Sequence, residues 1–399
     1  MKVTDEHRTQ RWLVAANIAG LGIVAGQGFS RFTFGLLFPR MGATLVGSTS
    51  TSSLLAAQYA AAYLIGVALL IYTTRHVAPL RLLALGVGTS AVGLFLLGGA
   101  HSRIVVSYGL VITGLGAAFT YVPALSFVGA AVHHERRARA TGLAGAGIGA
   151  GIIIARLFAA IFDAQGRVQG WREVWIGEGI IAVVVTILVV VYSSKVPSSV
   201  RDRGMPMAVT FRMPHWLPLS MAYFCFGLDY SIFSNLAVKG WELSGLSQQW
   251  AANALLFVAP AQIGGGFLTL WFARRVGVGR TTAISFIMLS LAMVEVSLKA
   301  GFGFAVIAAL LLGFVGAGIT AQFVLIVRSR LSPLELDRDA TTTVFGMMTL
   351  LYSIGGLAGL TAGTQLARGH GELSSTFIVG ALVALVGVIL SRVGSRGLT

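Results

Sequence analysis

The chain has 399 residues, 56% of them hydrophobic and only 11% charged, whereas soluble domains hold about 25% charged residues. With a mean hydropathy of +0.82, this excludes an ordinary soluble domain and makes lipid the main solvent. The formal charge of +15 raises nucleic acid as a partner, but in such a chain basic residues are first read as topology signals.

A spanning helix needs about 20 mostly apolar residues. After the polar lead-in MKVTDEHRTQR, runs of that size fall at 12–38, 51–72, 80–100, 104–131, 138–163 and 171–193. The first run exceeds the about 7–15 residues of a signal sequence and is read as a retained helix. One long polar connection follows, SSKVPSSVRDRGMPMAVTFRMP (Ser193–Pro214), and then six more runs at 215–238, 249–273, 280–299, 303–327, 339–367 and 372–391. The expected architecture is an all-α membrane protein of twelve transmembrane helices: a six-helix bundle over 1–192, a cytoplasmic linker over 193–214 and a second bundle over 215–399. The single cysteine, Cys225, excludes an internal disulfide, and the histidines show no metal-ligand spacing. No cofactor or metal is expected.

The basic residues settle the expected orientation. With the N-terminus cytoplasmic, twenty of the 29 Lys and Arg residues fall on inner segments and seven on outer ones, and Arg31 and Arg156 lie inside spans. Such a bias places both termini and the linker on the cytoplasmic side of a bacterial-type inner membrane. The positive charge then serves topology and attraction to anionic lipid, and nucleic acid drops out as a partner.

The halves share a faint repeat. A shift of 200 places Gly116, Ala117 and Thr120 on Gly316, Ala317 and Thr320. Parallel six-helix repeats about an axis along the membrane normal are a transporter design, with the substrate between the halves at mid-membrane. No Gly-x4-Gly-Lys-Ser/Thr phosphate cradle occurs, so the energy source is an ion gradient. The alternating Gly145, Gly147, Gly149 and Gly151 follow no strand and are read as close helix packing. Pro123 and Pro260 fall inside spans and are expected to bend them. No catalytic constellation is present, so no enzyme is expected.

Over essentially the whole chain these features resemble the major facilitator superfamily. GGGFLTLWFARRVGVGRTT (Gly264–Thr282) is similar to that family's loop between helices 8 and 9, with paired basic residues, glycine and arginine. Its counterpart GVALLIYTTRHVAPLRLL keeps Gly66, Arg75 and Arg81 but lacks the usual aspartate. The resemblance implies a gating role for Arg75, Arg81, Arg274, Arg275 and Arg280. GFSRFTFGLLFPRM and FGLDYSIF are similar to the YbfB/YjiJ-type bacterial transporters. Span 5 has the glycine richness of the superfamily's antiporter motif without its Gly-Pro pair.

Arg31 is the only formal charge between Trp12 and Pro39. A mid-membrane arginine costs about 2.5–3.5 kcal/mol on insertion scales and normally faces a partner or a wet cavity. Asn17, Gly20, Val24, Gly28, Arg31 and Gly35 share one helical face. Thr141, Gly145, Gly149, Arg156 and Asp163 share one on span 5, and Cys225, Phe226, Asp229, Phe233 and Leu236 one on span 7. Counting from the outer ends, Arg31, Arg156 and Asp229 all lie roughly 13–17 Å deep. Arg31 and Asp229 are therefore expected to face each other across the central pathway. Either they form a permanent stitch, or Asp229 takes a proton and frees Arg31, helped by Arg156, for an anionic cargo. Glu178 is a second, shallower proton-coupling candidate, and Glu295 is expected at the interface. Tyr121, Phe226, Tyr230 and further aromatics, Phe29, Phe32, Tyr223 and Tyr352 among them, would line the site, with Gln58, Tyr59 and Gln262 adding neutral hydrogen bonds. The expected function is proton-coupled transport of a small organic anion, a carboxylate foremost, by a monomer. The alternative is a drug/proton antiporter exporting a lipophilic or cationic compound.

Overall fold

The computed structural model describes residues 2–47, 49–74, 76–164, 169–194, 208–298, 301–331, 338–370 and 373–397. Arg75, Arg167, Lys299 and the linker's centre, residues 195–207, lie outside the described residues, as does the side chain of Asp163. Eleven described helices are long and apolar enough to cross a membrane. They are α1 (Trp12–Met41), α2 (Thr51–Thr73), α3 (Pro79–Gly98), α4 (Arg103–Ala131), α5 (Glu135–Phe162), α6 (Trp171–Ser193), α8 (Gln248–Val276), α9 (Val278–Ser297), α10 (Phe302–Leu331), α11 (Thr343–Gly363) and α12 (Ser374–Gly394). The twelfth is α7 (Trp216–Leu243), 28 residues long. It is less apolar because it buries Asp229, Ser231, Ser234 and Asn235 within the protein, where protein rather than lipid surrounds them.

Several spans are interrupted. α4 breaks at Phe119 and Thr120, α5 at Ala146 and α8 at Phe257. Pro123 and Pro260 account for the first and third, because a proline lacks the N–H that the carbonyl four residues earlier requires. In α1, Val24–Phe32 forms a π-helical segment whose nine residues are all buried. Gln27, within it, donates its side-chain amide to the Ala117 carbonyl at 2.8 Å, covering the break in α4.

Most helices pack within their own sequence half: α3 on α4 and α6, α2 on α4, α1 on α5, α7 on α11 and α12, and α9 on α10 and α12. Across the halves, α2 lies on α11, α5 on α8 and α1 on α7. Both the α1–α5 contact and the seams between the halves run on glycine, as small-residue contacts let backbones approach without a polar driving force. A methyl group at Gly28 would stand 2.7 Å from the Gly151 α-carbon, and one at Gly149 2.6 Å from the Ala259 carbonyl. Gly147 meets Gly20 and Gly35 meets Ser234, whereas Gly145 faces open space.

Gly28→Ala should therefore destabilise by about 1–3 kcal/mol through overpacking. Gly129→Ala, where nothing lies within 4 Å, should leave stability equal or improved. Thermal unfolding of the two variants in one detergent checks the contrast.

Candidate functional site

The π-helical segment of α1 brings Arg31 to the seam between the halves, 7% exposed. Its Nη2 donates to Ser231 Oγ on α7 at 2.9 Å. The guanidinium carbon lies 4.8 Å from the Tyr230 ring centre and 5.4 Å from that of Tyr352. Tyr59, Tyr63, Ser231, Tyr352 and Ser353 line a cavity beside it with about 10 Å³ of free space, the room of roughly one water. Arg31 Nε and the Tyr59 hydroxyl have no hydrogen-bond partner in the protein. A buried donor left unsatisfied costs about 1–3 kcal/mol, so two of them beside one cavity mark unused binding capacity.

Rings form the adjoining wall. Phe226 lies 5.4 Å from both Tyr230 and Tyr352, and Tyr223 lies 5.4 Å from Tyr352 and 4.8 Å from Phe323. Tyr121, half-buried at the α4 break, comes within hydrogen-bonding reach of Thr320 on α10, and Tyr230 of Gln262 on α8. Gln262 and Tyr59 thus join the central constellation.

The expected pairing of Arg31 with Asp229 is corrected. Asp229 is fully buried, neither carboxyl oxygen has a partner, and a side chain at Gly380 of α12 would stand 3.0 Å from its Oδ1. It points into the second group of helices, toward α12, not across the seam. Residues 229 and 231 are about 200° apart around a helix, so turning Ser231 toward Arg31 turns Asp229 away.

Arg156 also lies elsewhere. Its Nε and Nη2 donate to Asn253 Oδ1 at 3.1 and 2.6 Å across the α5–α8 seam, in a separate apolar pocket lined by Phe32 and Leu36. Phe32 meets Tyr230 edge-on at 6.0 Å and so stands between the two arginines. Gln58 is likewise diverted, accepting from Ser107 Oγ at 2.6 Å within the first half.

Glu178 is fully buried on α6 and accepts from Thr33 Oγ1 of α1 at 2.7 Å. Glu295, expected at the interface, is 9% exposed and accepts from Trp241 Nε1 at 3.2 Å; the indole holds it inside. Arg81, Arg274, Arg275 and Arg280 are exposed at helix ends, and Arg275 stacks 4.0 Å over the Trp271 ring.

Sequence reasoning missed Ser231, Thr33, Asn253 and Tyr63. A signal for Ser231 existed: it lies 200 positions from Arg31, the same shift that aligns Thr120 with Thr320. The halves also touch on either side of this layer. Gly35 meets Ser234 toward one membrane face, and Gly142 meets Phe267 while Gly346 meets Ile71 toward the other.

Comparison with solved structures finds a mutant of the nucleoside transporter NupG, 12% identical, with a TM-score of 0.69, covering 95% of this chain and 100% of that one. The major facilitator superfamily transporter FucP, in its outward conformation, is 17% identical with a TM-score of 0.67, covering 96% and 98%. At these identities the likeness carries the fold alone. No curated protein matches by sequence. The family described as "Uncharacterised MFS-type transporter YbfB" matches residues 23–392. A sequence match over nearly the whole chain, on twelve helices of the same fold, makes this a multi-pass membrane transporter and not an enzyme: the chain belongs to the YbfB-type transporters of the major facilitator superfamily.

Proposed function

We propose that the protein moves a small organic anion, a carboxylate, across the inner membrane by alternating access, with protons as the coupling ion. The observation that carries this is Arg31, a buried guanidinium between the halves with no carboxylate bonded to it among the described residues and its Nε unspent. Arginine's planar fork suits a carboxylate held in bidentate fashion. A cationic cargo, as in an antiporter, would meet Arg31 as a like charge, and Asp229 is turned away from the place where it would help.

Two acids are suited to the proton. Asp229 and Glu178 are both buried, and no basic group among the described residues is bonded to either, so a proton can join them without breaking an ion pair. Each lies two helical positions from the Arg31–Ser231 contact, directly on α7 or through Thr33 on α1. Proton uptake is thereby linked to the seam through helix position, not through direct pairing with Arg31. The six-helix halves, 1–192 and 215–399, rock about that seam in a monomer with both termini cytoplasmic. Arg81, Arg274, Arg275 and Arg280, together with Arg75, gate the cytoplasmic side.

In proteoliposomes, carboxylate uptake should rise when the outside is acidified, and an uncoupler should stop accumulation. Accumulation that survives the uncoupler and follows only a counter-substrate gradient would replace symport with exchange. Arg31→Gln should weaken binding more than tenfold, the effect of about 1.5–3 kcal/mol for a hydrogen bond to a charged group, measured by equilibrium binding. Asp229→Asn should abolish proton-driven accumulation while leaving counterflow exchange; full accumulation in that variant would remove Asp229 from coupling.

A further inference from the structure

We propose that the cargo is a monocarboxylate carried on a planar aromatic ring, an inference that rests on the anion reading above and narrows it. Three observations converge. The first concerns charge. Arg31 is the only cation among the described residues that line the cavity, and Arg156 lines a different pocket with Phe32. One fixed positive charge suits one carboxylate, and a second would be buried without a counter-charge, at a high cost.

The second concerns donors. Arg31 Nε and the Tyr59 hydroxyl are the unspent donors at this cavity. With Arg31 Nη2, now on Ser231, they offer a carboxylate three donors at one cavity. A carboxylate taking Nε and Nη2 together would displace Ser231, so cargo arrival itself loosens the α1–α7 contact.

The third concerns shape. Tyr223, Phe226 and Tyr230 follow one another at three- and four-residue spacing on α7, which puts them on one helical face. Tyr352 from α11 completes the wall, with ring centres 5.4 Å from Tyr223 and Phe226. Arg31 itself stacks between Tyr230 and Tyr352. A flat ring entering this wall replaces ring–ring contacts with ring–ring contacts. A saturated ring of equal size loses the edge and face preferences of aromatic pairs.

The test measures binding of benzoate, cyclohexanecarboxylate, benzamide and terephthalate to the purified full chain by calorimetry at one pH. Benzoate should bind roughly 3–10-fold more tightly than cyclohexanecarboxylate, the worth of about one aromatic pair. Benzamide and terephthalate should bind more weakly still than benzoate. Phe226→Leu should bring the benzoate-to-cyclohexanecarboxylate ratio toward one, and Arg31→Gln should abolish binding of both acids. If the two ring acids bind wild-type protein equally and both need Arg31, the aromatic inference falls and the anion reading stands. Equal or tighter terephthalate binding would overturn the single-charge argument. If benzamide matches benzoate, or neither acid binds, or Arg31→Gln changes nothing, the anion reading falls and this inference with it. The wild-type comparisons decide the question even if a variant fails to fold.

Discussion

A positive charge buried between two halves without a negative partner is the constraint on which the site depends. Arg31 meets one serine hydroxyl and two aromatic faces. Cation–π contacts contribute about 2 kcal/mol when desolvated, and a hydrogen bond to a charged group about 1.5–3 kcal/mol. Taking an ion out of water costs several kcal/mol even after relaxation. The arrangement holds the guanidinium in place without satisfying it as a carboxylate would, which is the property required of a site that must bind an anion and then release it. A permanent Arg31–Asp229 ion pair would have satisfied the charge and resisted separation. The helical phase of α7 prevents that pair.

The same geometry separates Arg31 from the two buried acids, Asp229 and Glu178. On α7, Ser231 reaches the seam and Asp229 reaches α12. On α1, Arg31 reaches the seam and Thr33 reaches Glu178 on α6. On α7 the acid itself stands two residues from the central contact, and on α1 the residue two positions on is Thr33, which reaches the acid on α6. Under the proposed coupling, a change of charge at either acid would act first on packing inside one half. The π-helical segment preceding Thr33 adds a way for α1 to move, since wide turns of this kind are rare and recur at functional sites.

Glycine smooths helix contacts both within and between the halves: Gly20, Gly28, Gly147 and Gly151 let α1 and α5 meet closely, and Gly149 brings α5 onto α8 at the seam. Polar contacts across the halves include Arg31 with Ser231 and Arg156 with Asn253. The acceptor in each of these two hydrogen bonds is a neutral side chain.

Hydropathy and charge were enough to determine the number of spans, because a helix surrounded by lipid must be apolar along its length whatever its neighbours are. They also singled out Arg31, since a lone charge in an apolar run is costly in any fold. The weak 200-residue repeat held the partner of Arg31 as well, in Ser231, although aspartate drew the argument because charge is the louder signal. Which way α7 turned, and so whether Asp229 or Ser231 met Arg31, was decided only in the tertiary structure. Sequence periodicity gives relative angles around one helix but not the rotation of that helix against another, which is set by packing of every face at once. The same holds for Arg156, claimed by Asn253 on a distant span, and for Gln58, claimed by Ser107: a side chain's partner depends on which helix lies beside it, and no local spacing encodes that.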